Sequence, residues 1–186
     1  MKLSRNRYGL HFDRLPTVAG NRITSEDIVA VSCLSVHVPA AAVKILSGQA
    51  DEISTLLSRI PDLNLEEIPI DQHEGLFGTG SAALELWLLL RNHVGIGPTT
   101  ASKLMARKRP GLIPIYDSVV ARVTGFDSSA GTWRAWHNAL SSDEALKIGW
   151  GGCAILPGWS ESPYCASWML CCGWTAKALC SRNAST

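Results

Sequence analysis

The chain has 186 residues, a formal net charge of +1, 46% hydrophobic residues and 18% charged ones. That length supports one sizeable core, and the balance excludes a disordered or collagen-like chain and gives no overall charge that would draw nucleic acid. The opening Met1-Lys-Leu-Ser-Arg-Asn-Arg7 leads into no apolar run, and the long uncharged window from Ser162 to Ala176 is interrupted by proline and glycine, so a cytoplasmic chain with no membrane partner is expected.

Thr24-Ser-Glu-Asp27 is a capping pattern, and Ile28, Val31, Leu34 and Ser35 continue it at helical spacing, which predicts a helix over about 25–36. Pro39 suits the first turn of a second helix running through Val43 and Leu46 to Gly48. Ile53, Leu56, Leu57 and Ile60 mark a third, ended by Pro61, and residues 61–80 read as loop. Gly80-Ser81 opens a strongly apolar helix, Ala82 to Asn92, whose Leu84, Trp87 and Leu88 are expected to face the core. Thr99 to Lys108 form the next helix, Leu112 to Tyr116 is extended around Pro114, and Asp117 to Val123 and Thr132 to Leu140 are two more helices. Without strand alternation, the fold class is mainly α: a single multi-helix domain over residues 1–148.

Charge is distributed unevenly. Residues 49–90 hold eight acids against Arg59, and residues 91–134 hold seven bases against Asp117 and Asp127. Such an asymmetry places a positive face on a neutral protein, or equally describes two solvated helix faces that partly pair.

From Gly149 the composition changes: 38 residues carry five of the six cysteines, four of the seven tryptophans and three charges. Cys153, Cys165, Cys171, Cys172 and Cys180 form no Cys-x-x-Cys pair and no histidine accompanies them, which argues against zinc. The genetic code offers another account. Read from the third base of the Ala166 codon, Ala166-Ser-Trp-Met-Leu-Cys-Cys-Gly-Trp-Thr175 becomes an amphipathic helical segment, and every TGG or TGY codon conceals an NTG codon for Leu, Met or Val. The expectation is a frameshift near Ile148, with 149–186 a poorly ordered, out-of-frame tail in place of a lost helix.

Gly95-Ile-Gly97 between two helices is the central signature of a helix-hairpin-helix. Glycines suit the tight turn and let backbone amides approach a phosphate without intervening side chains. Leu90, Val94, Thr100, Ala101 and Leu104 supply the apolar or small residues that the motif wants around the turn. The expected contacts to duplex DNA are Gly95, Ile96, Gly97, Thr99 and Thr100, with counter-charge from Lys103, Arg107, Lys108 and Arg109. Basic residues in a helix's last turn also suit its dipole without any ligand.

With its hairpin followed by Pro114-Ile-Tyr-Asp117 and a further helix, the segment 90–123 resembles the helix-hairpin-helix DNA glycosylases. The resemblance implies that Asp117 is a catalytic acid that stabilises an oxocarbenium-like sugar, with Arg122 a structural or backbone-contacting residue. Thr99 stands where lyase-type members place a lysine, no iron–sulfur cysteine pattern is present, and an aspartate ahead of a helix is also an ordinary N-cap. Residues about 10–147 also resemble an uncharacterised, mainly actinobacterial domain family of unknown function. The resemblance rests on Arg22-Ile-Thr-x-x-Asp27-Ile-Val-Ala-Val-Ser32, Ser35-Val-x-Val-Pro39, Glu85-Leu-Trp87 and the block from Thr100 to Val120. Members of that family continue past 147 with a helix like the one found in the shifted frame.

Gly78-Thr-Gly-Ser81 lacks a phosphate loop's length and lysine and reads as helix entry. His11, His37, His73, His93 and His137 show no ligand spacing, Cys33 reads as an inert core thiol, and neither metal nor cofactor is expected. Three functions remain open: a DNA-backbone binder of little sequence preference, a monofunctional glycosylase using Asp117, and a protein-interaction domain whose acidic middle segment meets a partner.

Overall fold

The computed structural model describes residues 12, 15–17, 19–125 and 129–142; the 149–186 tail lies outside them. Among these residues every regular element is helical. Helix α1 (Ser25–Ser32) starts where the capping pattern puts it, with the Thr24 N–H and hydroxyl both bonded to Asp27 Oδ2, at 2.9 and 3.1 Å. It ends four residues early, in a turn through Ser35, whose φ of 59° is left-handed.

Helix α2 (Pro39–Val43) passes into a π-turn over Lys44–Gly48, and α3 (Ala50–Arg59) buries Ile53, Leu56 and Leu57. Residues 61–80 are more ordered than a plain loop. They hold two 3₁₀ turns, Leu65–Glu67 and Ile70–Gln72, and a short α4 (His73–Phe77). Short turns of this kind carry too few residues to display a hydrophobic period.

Helix α5 (Ala82–Arg91) is capped by the Ser81 hydroxyl, which accepts from the Leu84 N–H at 3.2 Å. Its core face is offset from the expected one: Ala83, Leu86, Trp87 and Leu90 are buried, Leu84 is partly buried, and Leu88 is 54% exposed. In a helix that is apolar almost all round, composition does not identify the inward stripe. Helices α6 (Pro98–Lys108), α7 (Ser118–Thr124) and α8 (Ser129–Ser142) complete the described chain.

Helix α6 is the axis of the domain. It packs against α1, α5 and α8, and its residues from Thr100 to Lys108 are all buried. No described helix is long and apolar enough to cross a membrane. Cys33 is a free thiol on the C-cap of α1 and is only partly buried.

Candidate nucleic-acid interface at the hairpin

The link between α5 and α6 is a tight turn. The Leu90 carbonyl accepts from the His93 N–H at 3.2 Å and the His93 carbonyl accepts from the Ile96 N–H at 3.0 Å. Gly95 has φ of +89°, a region that side chains rarely adopt, so glycine there is a requirement of the turn. Ile96 anchors the loop in the core at 4% exposure, and Val94 projects from its tip at 94%. Leu90, Thr100, Ala101 and Leu104 are buried beneath.

Gly97 is different. It is exposed and caps α6 with an ordinary φ of −83°, and a Cβ placed on it would meet nothing within 4 Å. A Cβ at 97 is therefore unobstructed, and glycine there meets only the general preference for small residues at an N-cap. Pro98 at the first helical position has no N–H to satisfy. Among the described residues, no backbone acceptor is bonded to the N–H of Gly95 or Gly97, and both glycines are exposed. Thr99 is half-buried.

The basic residues of α6 lie elsewhere, and this corrects the expectation that they face a phosphate. Lys103, Arg107, Lys108 and Arg109 are 6, 1, 3 and 4% exposed. The Lys103 ammonium donates to the Leu34 carbonyl at 2.9 Å, just past the end of α1. Arg107 donates to the carbonyls of Phe12 at 2.6 Å, Pro16 at 3.1 Å and Leu15. Lys108 donates to the Ala19 carbonyl at 2.9 Å. Arg109 reaches the Gly20 carbonyl at 2.9 Å, the Asn21 side chain at 2.6 Å and, at the end of α3, the carbonyls of Leu57 and Ile60. Helix ends leave carbonyls without partners, and here interior cations take the place of water.

Asp27 is the carboxylate of this cluster. Arg107 Nε lies 3.2 Å from its Oδ1, and Lys108 Nζ is paired with its Oδ2. Burial holds the Lys108 ammonium below its ordinary pKa, and Asp27 opposes that shift. Burying four cations changes the outside. Among the described residues the exposed carboxylates are Glu26, Asp51, Glu52, Asp62, Glu67, Asp71, Glu74 and Glu85, and the exposed cations are Arg22, Lys44, Arg59, Arg91, Arg122 and Arg134. Arg59 and Arg134 are already paired with Glu85 and Glu74, at 3.3 and 3.0 Å.

Asp117 is engaged within the chain. Its Oδ1 accepts from the Val120 N–H at 3.0 Å, capping α7, and its Oδ2 lies 3.8 Å from Lys103 Nζ. Tyr116 is 8% exposed, packed on the domain, and its backbone is clamped by the Ser102 hydroxyl, 3.1 Å from both its N–H and its carbonyl oxygen. Arg122 is exposed on α7.

Two buried features escaped the sequence: the partnership of Asp27 with α6, and a contact between His73 and His137, whose Nδ1 atoms are 2.9 Å apart. Asp27 read as a cap residue, and the histidines are 64 positions apart with no local motif. No cluster of three or more potential metal ligands occurs among the described residues.

The described chain is thus a helical domain built around a central buried helix, with a glycine turn at that helix's outer end. A family model described as a family of unknown function (DUF6308) matches residues 3–154, and the chain belongs to that family. None of the curated proteins and none of the solved structures compared with it matches.

Proposed function

We propose that the protein binds the backbone of duplex DNA, with little sequence preference, through the tip of the α5–α6 turn. One observation carries this reading: Gly97, the N-cap of α6, is exposed, with an ordinary backbone conformation and open space around its Cα, so the amides at the start of α6 are open to something outside the fold. A phosphate oxygen fits that space. The amides of Gly95 and Gly97 and the first-turn N–H groups of α6 present partial positive charge to it.

The contact is small, because Lys103, Arg107, Lys108 and Arg109 are occupied in the interior. Fluorescence anisotropy with a short duplex at low salt tests it. Gly97→Ala, which the fold accommodates, is expected to weaken binding at least tenfold while the protein stays folded, with a melting temperature lowered by no more than a changed N-cap costs. Unchanged affinity in that variant removes the reading.

The excess of exposed carboxylates favours a second reading, a protein-interaction domain whose acidic middle segment meets a basic partner. Failure of the wild type to bind duplex at low salt would leave that reading in place of the first.

A further inference from the structure

His73, on α4, and His137, on α8, are 5% and 0% exposed, and their Nδ1 atoms are 2.9 Å apart. The Nε2 of His137 lies 2.7 Å from the Ile68 carbonyl oxygen. A carbonyl can only accept, so His137 Nε2 carries a proton. With that ring neutral, its Nδ1 accepts and His73 Nδ1 donates. Both nitrogens of His137 are then used, so a further proton either goes to the remaining nitrogen of His73 or displaces the His73 proton there; the N–H···N contact persists in both cases, and a net charge is left in the interior. A proton on the remaining nitrogen of His73 would put a cation against the Phe77 ring, whose centroid is 5.0 Å away and which itself packs on Trp133 at 5.1 Å.

Among the described residues, the carboxylates on the elements packed on α8 are Glu66, Glu67, Asp71 and Glu74, and Glu74 is the one that acts on His73 against the effect of burial. Glu74, next to His73 on α4, is already paired with Arg134 of α8 at 3.0 Å. In the Leu65–Glu67 turn, Glu67 is bonded to Asn64, and Asp71 in the following turn is exposed. Burial, aided by His137 and Arg134 and opposed by Glu74, holds His73 below the ordinary imidazole pKa.

We propose that the buried His73–His137 pair is an acid-sensitive latch: it ties α8 to the Ile68–Phe77 segment while the pair is uncharged, and that helix opens to hydrate the charge when the pair takes up a proton. The latch sits where it controls most of the helix's attachment. Helix α8 packs on the two 3₁₀ turns, on α4 and on α6, through a face that includes Trp133, Trp136 and Leu140. The proposal is independent of DNA binding, since neither histidine belongs to the hairpin.

Amide hydrogen exchange over residues 132–140 of the full chain, corrected for intrinsic rates, tests it. The opening equilibrium is expected to rise about tenfold per pH unit per proton as pH falls below about 6.5. In His73→Gln, whose amide can still donate to His137 but does not titrate, the rise should be lost. A pH-independent opening in the wild type, or an equal rise in His73→Gln, overturns the latch. Should His73→Gln not fold, imidazole nitrogen resonances of the wild type decide. Rings that stay neutral until α8 opens support the latch, and ordinary titration near 6.5 with α8 closed overturns it.

Discussion

Asp27 Oδ1 lies 3.2 Å from Arg107 Nε across 80 residues of sequence, and both side chains are 1% exposed. The same carboxylate closes the capping box of α1 and receives Lys108, so one residue joins the start of one helix to the end of another. Removing one partner of a buried pair leaves an uncompensated charge, which costs more than the pair itself contributes. Asp27→Asn is therefore expected to destabilise the protein by about 3–5 kcal/mol, read as a lower urea midpoint. A midpoint within error of the wild type would show that the cations are held by backbone carbonyls alone.

The two glycines of the α5–α6 turn make different demands on the fold. Gly95→Ala forces a side chain into positive φ and should cost about 1–2 kcal/mol of stability. Gly97→Ala carries no such strain and should cost less, no more than about 1 kcal/mol, the difference between glycine and alanine at an N-cap. If thermal melts show equal losses for the two, the turn is not the one described.

Salt dependence measures how many cations meet the phosphate backbone, each neutralised phosphate adding about 0.9 to the slope of log K against log salt. The exposed cations with a link to the turn are Arg91, which ends α5 with its guanidinium 4.4 Å from the Trp87 ring centroid, and Lys44, whose charge acts on His93. A slope of no more than about 2 is expected. A slope of 4 or more would mean that exposed cations away from the turn, such as Arg22 or Arg122, or cations of the interior also meet phosphate, and would contradict a contact confined to the turn.

The helices were legible where one face is apolar and the other is not. Ile53, Leu56 and Leu57 located α3, Ser81 marked the start of α5, and the expected start of α6 at Thr99 fell one residue after the observed one. What the residues could not reveal was the direction in which α6 points its charges. A run of Lys108, Arg109 and neighbouring Arg107 reads as a solvated or phosphate-facing end, because lysine and arginine are rarely buried without partners. Here the partners are carbonyls of residues 12–60, invisible to any local pattern. The specific block from Thr100 to Asp117 is therefore explained first by interior bonding, and only its glycine-turned entry is left for a ligand.

Asp117→Asn should melt within about 1 kcal/mol of the wild type, since asparagine is as good a helix N-cap as aspartate and the pairing with Lys103 that it weakens is long, at 3.8 Å, and partly exposed. Asp117→Ala should lose about 1 kcal/mol more through the missing cap. On a panel of damaged duplexes, base release by the wild type that disappears in Asp117→Asn would assign the carboxylate to catalysis in addition to capping.

Stability is also expected to depend on pH through the hairpin. His93 is buried, its Nε2 is without a partner, and burial followed by the charge of Lys44 lowers its pKa. The unfolded chain then binds more protons below about 6.5, so stability is level above that pH and falls as acid is added, until the folded-state value is passed. Urea midpoints at pH 7.5 and 5.5 should show this fall, and His93→Gln should reduce it. A midpoint that rises on acidification would contradict the sign.

The last prediction concerns the gene. The family match ends at residue 154, six residues into the compositionally distinct tail, so 155–186 lie beyond it. If the reading frame slips near Ile148, the nucleotide sequence there contains a second open frame encoding an amphipathic helix, and an intact single frame would refute the slip. Restoring that frame supplies leucine-like side chains in place of cysteine and tryptophan. Burying two of them, at about 1.5–3 kcal/mol each, should raise the melting temperature by roughly 10 °C. A frame-restored protein that melts at the same temperature as the present chain would mean that residues 1–148 already complete their own core, and that the helix written in the other frame contributes nothing to it.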